Sequence, residues 1–218
     1  MTDTLKNWNN ESNTSFFNSI KERIVKPPPF KERLSYAIYR LQIQMNKLEQ
    51  SGYNMQQQYD TLFKKCTAAV MSKDSQRAKM YANECSQIKK MVSVILQSQF
   101  AIERVSMRLK TIEDFGNVAI EMGPVANVIS SLKGQLSGVL PDVSYKLGEI
   151  GESLNEMVIG FGEATGITTM DALQNEESVK ILNEAAAVAE NQMRERFPTL
   201  PETPTPSTER HSESRFTT

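Results

Sequence analysis

A chain of 218 residues with 39% hydrophobic and 7% aromatic residues suits one helical domain with tails rather than several compact globules. No apolar run approaches the ~18 to 20 residues of a membrane-crossing helix, and the start MTDTLKNWNN has no apolar leader core, which predicts a cytoplasmic protein. The net charge of -1 hides a split: residues 1–113 carry +8 (18 basic, 10 acidic) and residues 114–218 carry -9 (7 basic, 16 acidic), so one half attracts anions and the other can neutralise it.

In chain order, residues 1–29 read as a flexible N-terminus with one amphipathic stretch, SFFNSIKERIV at 15–25. Phe16, Phe17, Ile20 and Ile24 fall on one side of a helical wheel, flanked by Lys21 and Arg23, with Lys26 just beyond. Two readings fit: a short helix docked on the rest of the protein, or a segment whose apolar side enters a membrane while Lys21, Arg23 and Lys26 meet anionic lipid. The KPPPF break at 26–30 separates the stretch from the helix after it and favours the second.

From Leu34 the apolar positions run Ile38, Leu41, Met45, Leu48, Gly52, Met55, Tyr59, Leu62, Cys66 and Ala69 in alternating steps of four and three, with Gly52 the only gap. This is the 3.5-residue period of a coiled-coil seam. SKDS at 72–75 reads as a tight turn, with Ser75 a suitable helix N-cap. A second series runs through Ala78, Tyr81, Cys85, Ile88, Val92, Ile95, Gln99 and Ile102, then slips by one residue to Val105, Leu109 and Ile112. The pattern predicts an antiparallel hairpin over about 30–113, and its Cys66 and Cys85 are expected as buried free thiols in a reducing compartment. Arg33, Arg40 and Lys47 recur at seven-residue steps beside the seam. Such a row suits ordinary coiled-coil flanking charge and an acidic or polyanionic neighbour equally well.

DFGN at 114–117 interrupts the pattern, and shorter helices are expected at 118–122, 125–138, 142–160 and 171–195, with GFGEATGITT (160–169) as a loop. Glycines at 123, 134, 138, 148, 151 and 160 weaken the middle helices and are read as hinge material. The last helix is expected to bury Leu173, Val179, Leu182, Ala186, Ala189 and Met193. Residues 196–218 are proline-rich and polar, with no capacity for a core.

Enzyme chemistry finds no support in this pattern, and no cofactor or metal is expected: the single histidine, His211, lies in the polar tail, and GFGEATG lacks the lysine and preceding strand of a phosphate loop. Nucleic acid is not expected as a partner, because no aromatic interleaves with the basic row and no reading motif is present.

The basic hairpin, the acidic helices after a break and the segment Phe197-Pro198-Thr199-Leu200-Pro201 together resemble the ESCRT-III family, most nearly its archaeal cell-division, CdvB-like members, over about residues 16–205. The resemblance implies an all-α fold with a long antiparallel hairpin (30–113), regulatory acidic helices (117–195) and a tail (196–218) bearing a MIT-interacting motif. It implies filaments built with like and paralogous subunits on anionic membrane at the division site, where they constrict and cut the neck. It also implies disassembly by a Vps-type AAA ATPase whose MIT domain binds Phe197, Pro198, Leu200 and Pro201. Phe197 stands where family members often carry Leu or Val. The short remainder after the motif predicts no winged-helix-like extension, leaving the N-terminal segment or copolymerising relatives to reach membrane. The competing readings are a passive coiled-coil tether and a nucleic-acid-organising helical protein.

Overall fold

The computed structural model describes residues 29–115, 118–165 and 171–197. Its helices are α1 (Phe30–Met71), α2 (Ser75–Phe115), α3 (Val118–Leu136), α4 (Pro141–Thr165) and α5 (Asp171–Arg196), and no strand occurs among the described residues. The chain divides into two units, Met1–Arg33 and Leu34–Thr218. Of the first, only 29–33 are described: Pro29 opens α1, its carbonyl accepting from the Glu32 and Arg33 amides at 2.9 and 3.2 Å.

In the second unit, α1 and α2 lie antiparallel. The Cys66 thiol donates to the Ala78 carbonyl at 3.5 Å, a Cβ added to Gly52 would sit 3.5 Å from Ile95 Cγ2, and Ser35 donates to Glu113. These contacts hold one register along the seam. The predicted positions Leu34, Leu41, Leu48, Gly52, Tyr59, Cys66 and Ala69 are buried, as are Ala78, Cys85, Ile88, Val92, Ile95, Ile102, Val105, Leu109 and Ile112 opposite. Ala37 and Gln44 are buried too, so the covered face of α1 is wider in its first half than a two-helix seam requires. Cys66 and Cys85 are free and buried, and burial raises both thiols above their ordinary pKa, keeping them protonated.

The turn closes by helix-capping geometry. The Asp74 amide donates to the Ala69 carbonyl at 2.9 Å and the Lys73 amide to Val70 at 3.0 Å, around a left-handed Lys73 (φ 58°). That pair of bonds is the Schellman arrangement, whose left-handed position glycine usually fills. The N-cap of α2 is Asp74 rather than Ser75: its Oδ1 accepts the Arg77 amide at 3.1 Å, and its carbonyl takes the first helical bond, from Ala78. Asp74→Ala is expected to cost about 1 kcal/mol, and Lys73→Gly to add about 0.5–1 kcal/mol by relieving the left-handed backbone. Thermal melts followed by circular dichroism would show Tm moving in opposite directions.

The middle helices depart from expectation in two ways. α3 runs unbroken through Pro124, because the preceding Gly123 has no Cβ to meet the proline ring and both residues are buried in the packing. α4 continues to Thr165, carrying Gly160–Thr165, expected as loop, as a last helical turn and a half. α3 and α4 pair antiparallel through apolar faces comprising Met122, Val125, Val128, Ile129, Leu132 and Leu136 on one side and Val143, Leu147, Ile150, Leu154 and Met157 on the other. The Ser144 hydroxyl donates to the Lys133 carbonyl at 2.7 Å. Gly148 and Gly151 mark close approach rather than hinges: an added Cβ would fall 3.1 Å from Lys133 Cε and 3.3 Å from Ile129 Cγ2, respectively.

Candidate functional site

α5 carries few large apolar residues, so how it holds to the hairpin decides what it can do. Its buried face is Ser178, Ile181, Ala185, Ala189 and Met193, continued by Phe197. Val179, expected inside, is 53% exposed, and Leu182 and Ala186 are only half-buried. The run NEAAAVAEN offers alanines on every side and so cannot set the helix phase. Ser178 occupies the face because its hydroxyl is satisfied locally by the Asn175 carbonyl at 2.8 Å.

The helix lies antiparallel to α2, and two ion pairs fix its register. Arg108 Nη2 reaches Glu177 at 2.6 Å, and Arg104 pairs with Glu184 one turn earlier on α2 and two turns later on α5. The Arg108 hydrogen bond, opposed by desolvation and reinforced by the charges of Arg108 and Lys180, holds the Glu177 carboxyl below its ordinary range. A third acid-to-base contact ties α4 to α1. Glu149 meets Arg40, whose guanidinium lies 5.8 Å from the Tyr36 ring centroid, and Lys146 lies 3.2 Å from the same carboxylate. The Lys146 hydrogen bond first, and Arg40 after it, lower the Glu149 pKa against desolvation.

Beyond these pairs, the end of α5 enters an aromatic pocket on the hairpin. Phe197 is 3% exposed, and its ring meets that of fully buried Tyr59 edge-on at 4.7 Å and 82°. Cys85, Ile88, Val92 and Leu96 complete the cluster with Ala189 and Met193, and Met55, Leu62, Phe63, Met91 and Phe100 pack around it. The Phe197 amide still donates to the Met193 carbonyl at 3.0 Å, so helical hydrogen bonding persists up to the residue before Pro198.

The predicted site residues are distributed accordingly. Of the basic row, Arg33 lies in the opening turn of α1, Arg40 is engaged by Glu149, and Lys47 is exposed. The bases that meet α5 are Arg104 and Arg108, which sequence reasoning missed. The available signal was their four-residue spacing beside Val105 and Leu109, facing acids seven apart at Glu177 and Glu184. Phe197 is the one motif residue inside the described set. Pro198, Leu200 and Pro201 lie outside it, as do Phe16, Phe17, Ile20, Lys21, Arg23, Ile24 and Lys26. No described helix is long and apolar enough to cross a membrane.

A basic helical hairpin followed by shorter helices, the last of them paired to it through acids, is an all-α, ESCRT-III-like architecture. Comparison with known proteins agrees. The chain is 42% identical over 173 residues to Cell division protein B1 of Sulfolobus acidocaldarius, covering 79% of this chain and 81% of that protein. It is 31% identical over 192 residues to Cell division protein B of the same organism (86% and 71% covered), and 27% identical over 120 residues to its Cell division protein B3 (55% and 69%). No family model matches, and no solved structure matches. The chain belongs to the ESCRT-III family as an archaeal, CdvB-like cell-division paralogue.

Proposed function

We propose that this protein is a subunit of a membrane-bound division filament, stored with its acidic C-terminal helices closed over the basic hairpin. The observation that carries the reading is the clasp of α5 on α2. Arg104–Glu184 is an exposed pair and Arg108–Glu177 a part-buried one, with side-chain exposures of 50/40% and 30/43%. Exposed pairs contribute roughly 0–1 kcal/mol each and weaken with salt, which suits a contact made to be exchanged. Opening would free Arg104 and Arg108 for an anionic surface or a neighbour's acids, and many repeated weak contacts would then build a polymer. Tyr36, Tyr39 and Tyr53, each 61–62% exposed on α1, offer outward apolar area for packing one hairpin beside the next. Like and paralogous subunits are the partners in that assembly, and residues 1–29 supply the lipid contact through Phe16, Phe17, Ile20 and their flanking bases. The motif at 197–201 recruits the MIT domain of a Vps-type AAA ATPase that takes the filament apart.

Full-length protein mixed with anionic vesicles is expected to co-sediment and to give filaments or tubulated vesicles in negative stain. Replacing Phe16, Phe17 and Ile20 with Ser is expected to leave it in the supernatant. Soluble dimers without filaments would instead support a passive tether. Salt-sensitive DNA binding as strong as lipid binding would support a nucleic-acid organiser.

A further inference from the structure

At its turn the hairpin puts small residues inside and large ones outside. The buried positions are Cys66, Ala69 and Ala78, while Met71 is 80% exposed and Met80 51% exposed. Five exposed bases, Lys64, Lys65, Lys73, Arg77 and Lys79, surround the two methionines, against the single acid Asp74 in residues 61–83. We propose that this tip is a lipid-contact site: its bases meet anionic headgroups while Met71 and Met80 enter the headgroup layer. The site is separate from the N-terminal stretch and shares with the reading above only the membrane as partner.

The charge at the tip is not neutralised within the chain. Asp74 is already engaged: one carboxylate oxygen caps α2 through the Arg77 amide, and the other lies 3.3 Å from Arg77 Nε. Residues 61–83 therefore keep a net charge of +4 (5 basic, 1 acidic). On α1, Lys64, Ala68 and Met71 follow at steps of four and three and are all exposed, so lysine and methionine share one stripe. The C-terminal helix does not cover it. Among the described residues, the cluster beneath α5 reaches no further toward the turn than Phe63 and Cys85. From Phe63 to Met71 a two-helix rod continues for about 12 Å. The tip is thus available in the closed subunit, before either ion pair between α2 and α5 opens.

The side-chain chemistry selects the partner. Lysine stems can lie along the methionines while their ammonium groups reach outward to phosphates. Methionine, unbranched and adaptable, suits the irregular boundary between headgroups and acyl chains. A nucleic acid would call for a ring to stack on, and the aromatics nearest the turn, Phe63 and Tyr81, are half-buried. An acidic helix of a second copy would call for a groove to take its apolar side, whereas Met71 and Met80 protrude. Contact through the tip holds a closed subunit at the membrane, so that Arg104 and Arg108 are freed where anionic lipid is already at hand.

The test is flotation of full-length protein with phosphatidylcholine vesicles, with and without phosphatidylglycerol, over a range of ionic strength. Lys73→Gln with Lys79→Gln is expected to weaken binding to the anionic vesicles about 30-fold, at about 5-fold per base, and to flatten its salt dependence. Met71→Ser with Met80→Ser is expected to weaken it about 10-fold at every salt concentration. Gln76→Lys is expected to tighten it about 5-fold, a gain that a folding defect cannot mimic. A polarity-sensitive dye on Ser72→Cys, where the buried Cys66 and Cys85 do not compete for label, is expected to shift to the blue on anionic vesicles. Unchanged affinity in the lysine and methionine variants, or a dye that does not shift, overturns the proposal. If Phe16, Phe17 and Ile20 replaced with Ser abolish binding in that same assay, the N-terminal reading stands without the tip. Tip variants that keep vesicle binding but lose self-association in the absence of lipid would make the tip a contact between copies, and overturn it too.

Discussion

Ending the chain after residue 168, which removes α5 and the tail, is expected to turn a monomer into sedimenting assemblies at low ionic strength. The cut uncovers the apolar patch of Tyr59, Cys85, Ile88, Val92 and Leu96 and strips Arg104 and Arg108 of their acids. Every subunit is then open, so for a closed state that leaves about 1–10% open, the concentration needed for assembly should fall by about 10- to 100-fold. The position of the cut matters. Stopping near residue 140 would also remove α4 and bare Val128, Ile129, Leu132 and Leu136, whose cover is Val143, Leu147, Ile150 and Leu154. Aggregation there would say nothing about masking. A cut at 168 keeps the α3–α4 pair whole, and a product that remained monomeric at low salt would show that α5 does not restrain assembly. Adding salt is expected to reverse the assembly if the freed guanidinium groups drive it, and to leave it in place if the apolar patch does.

The hairpin was legible because its signal is redundant. The four-three spacing from Leu34 to Ala69 and from Ala78 to Ile112 repeats often enough that one gap, Gly52, or one slip, after Ile102, does not erase it. Helix ends were legible only in part: Pro141 marks the start of α4, but Pro124 does not end α3 and Gly160 does not end α4. Two kinds of information were not. Phase is lost where side chains are small: in α5 the step from Val179 to Ser178 and from Ala186 to Ala185 turns the helix by about 100°, and only contact with α2 decides it. Long-range charge pairing is lost because any base on the hairpin is a candidate for any acid after residue 140. Arg40, in the predicted row, did find Glu149, but Arg104 and Arg108, outside it, took the acids of α5. Phe197 shows the limit most clearly. Its neighbours in sequence, Arg196 and Pro198, give no sign that its ring is held against Tyr59.

Reversing both guanidinium groups, Arg104→Glu with Arg108→Glu, is expected to release α5, and adding Glu177→Arg with Glu184→Arg to restore it. The magnitudes decide why two surface pairs suffice. Each lost attraction contributes about 0.2–1 kcal/mol and each like-charge contact costs a similar amount, so the double reversal totals about 2 kcal/mol, a shift of roughly 30-fold in the docking equilibrium. Against it stand the few large side chains α5 buries, Ile181, Met193 and Phe197, at about 1.5–3 kcal/mol each before the cost of ordering the helix. That margin is narrow enough for the charges to tip, and broad enough that Phe197 and Met193 set the affinity while the pairs set the register. Limited proteolysis around residues 166–170 and the small-angle scattering radius would report release and its rescue. Acid gives an independent check with a defined sign. Because Arg108 depresses the Glu177 pKa, its contribution is present above the ordinary carboxylate value of about 4.3 and is lost as pH falls through the lower folded value. Protonation in that window should therefore loosen α5 in the wild type and leave the double-reversal protein, where no guanidinium faces Glu177, without that step. A quadruple variant that stayed open would mean that the pairs are incidental and that the apolar anchors alone hold the closed subunit.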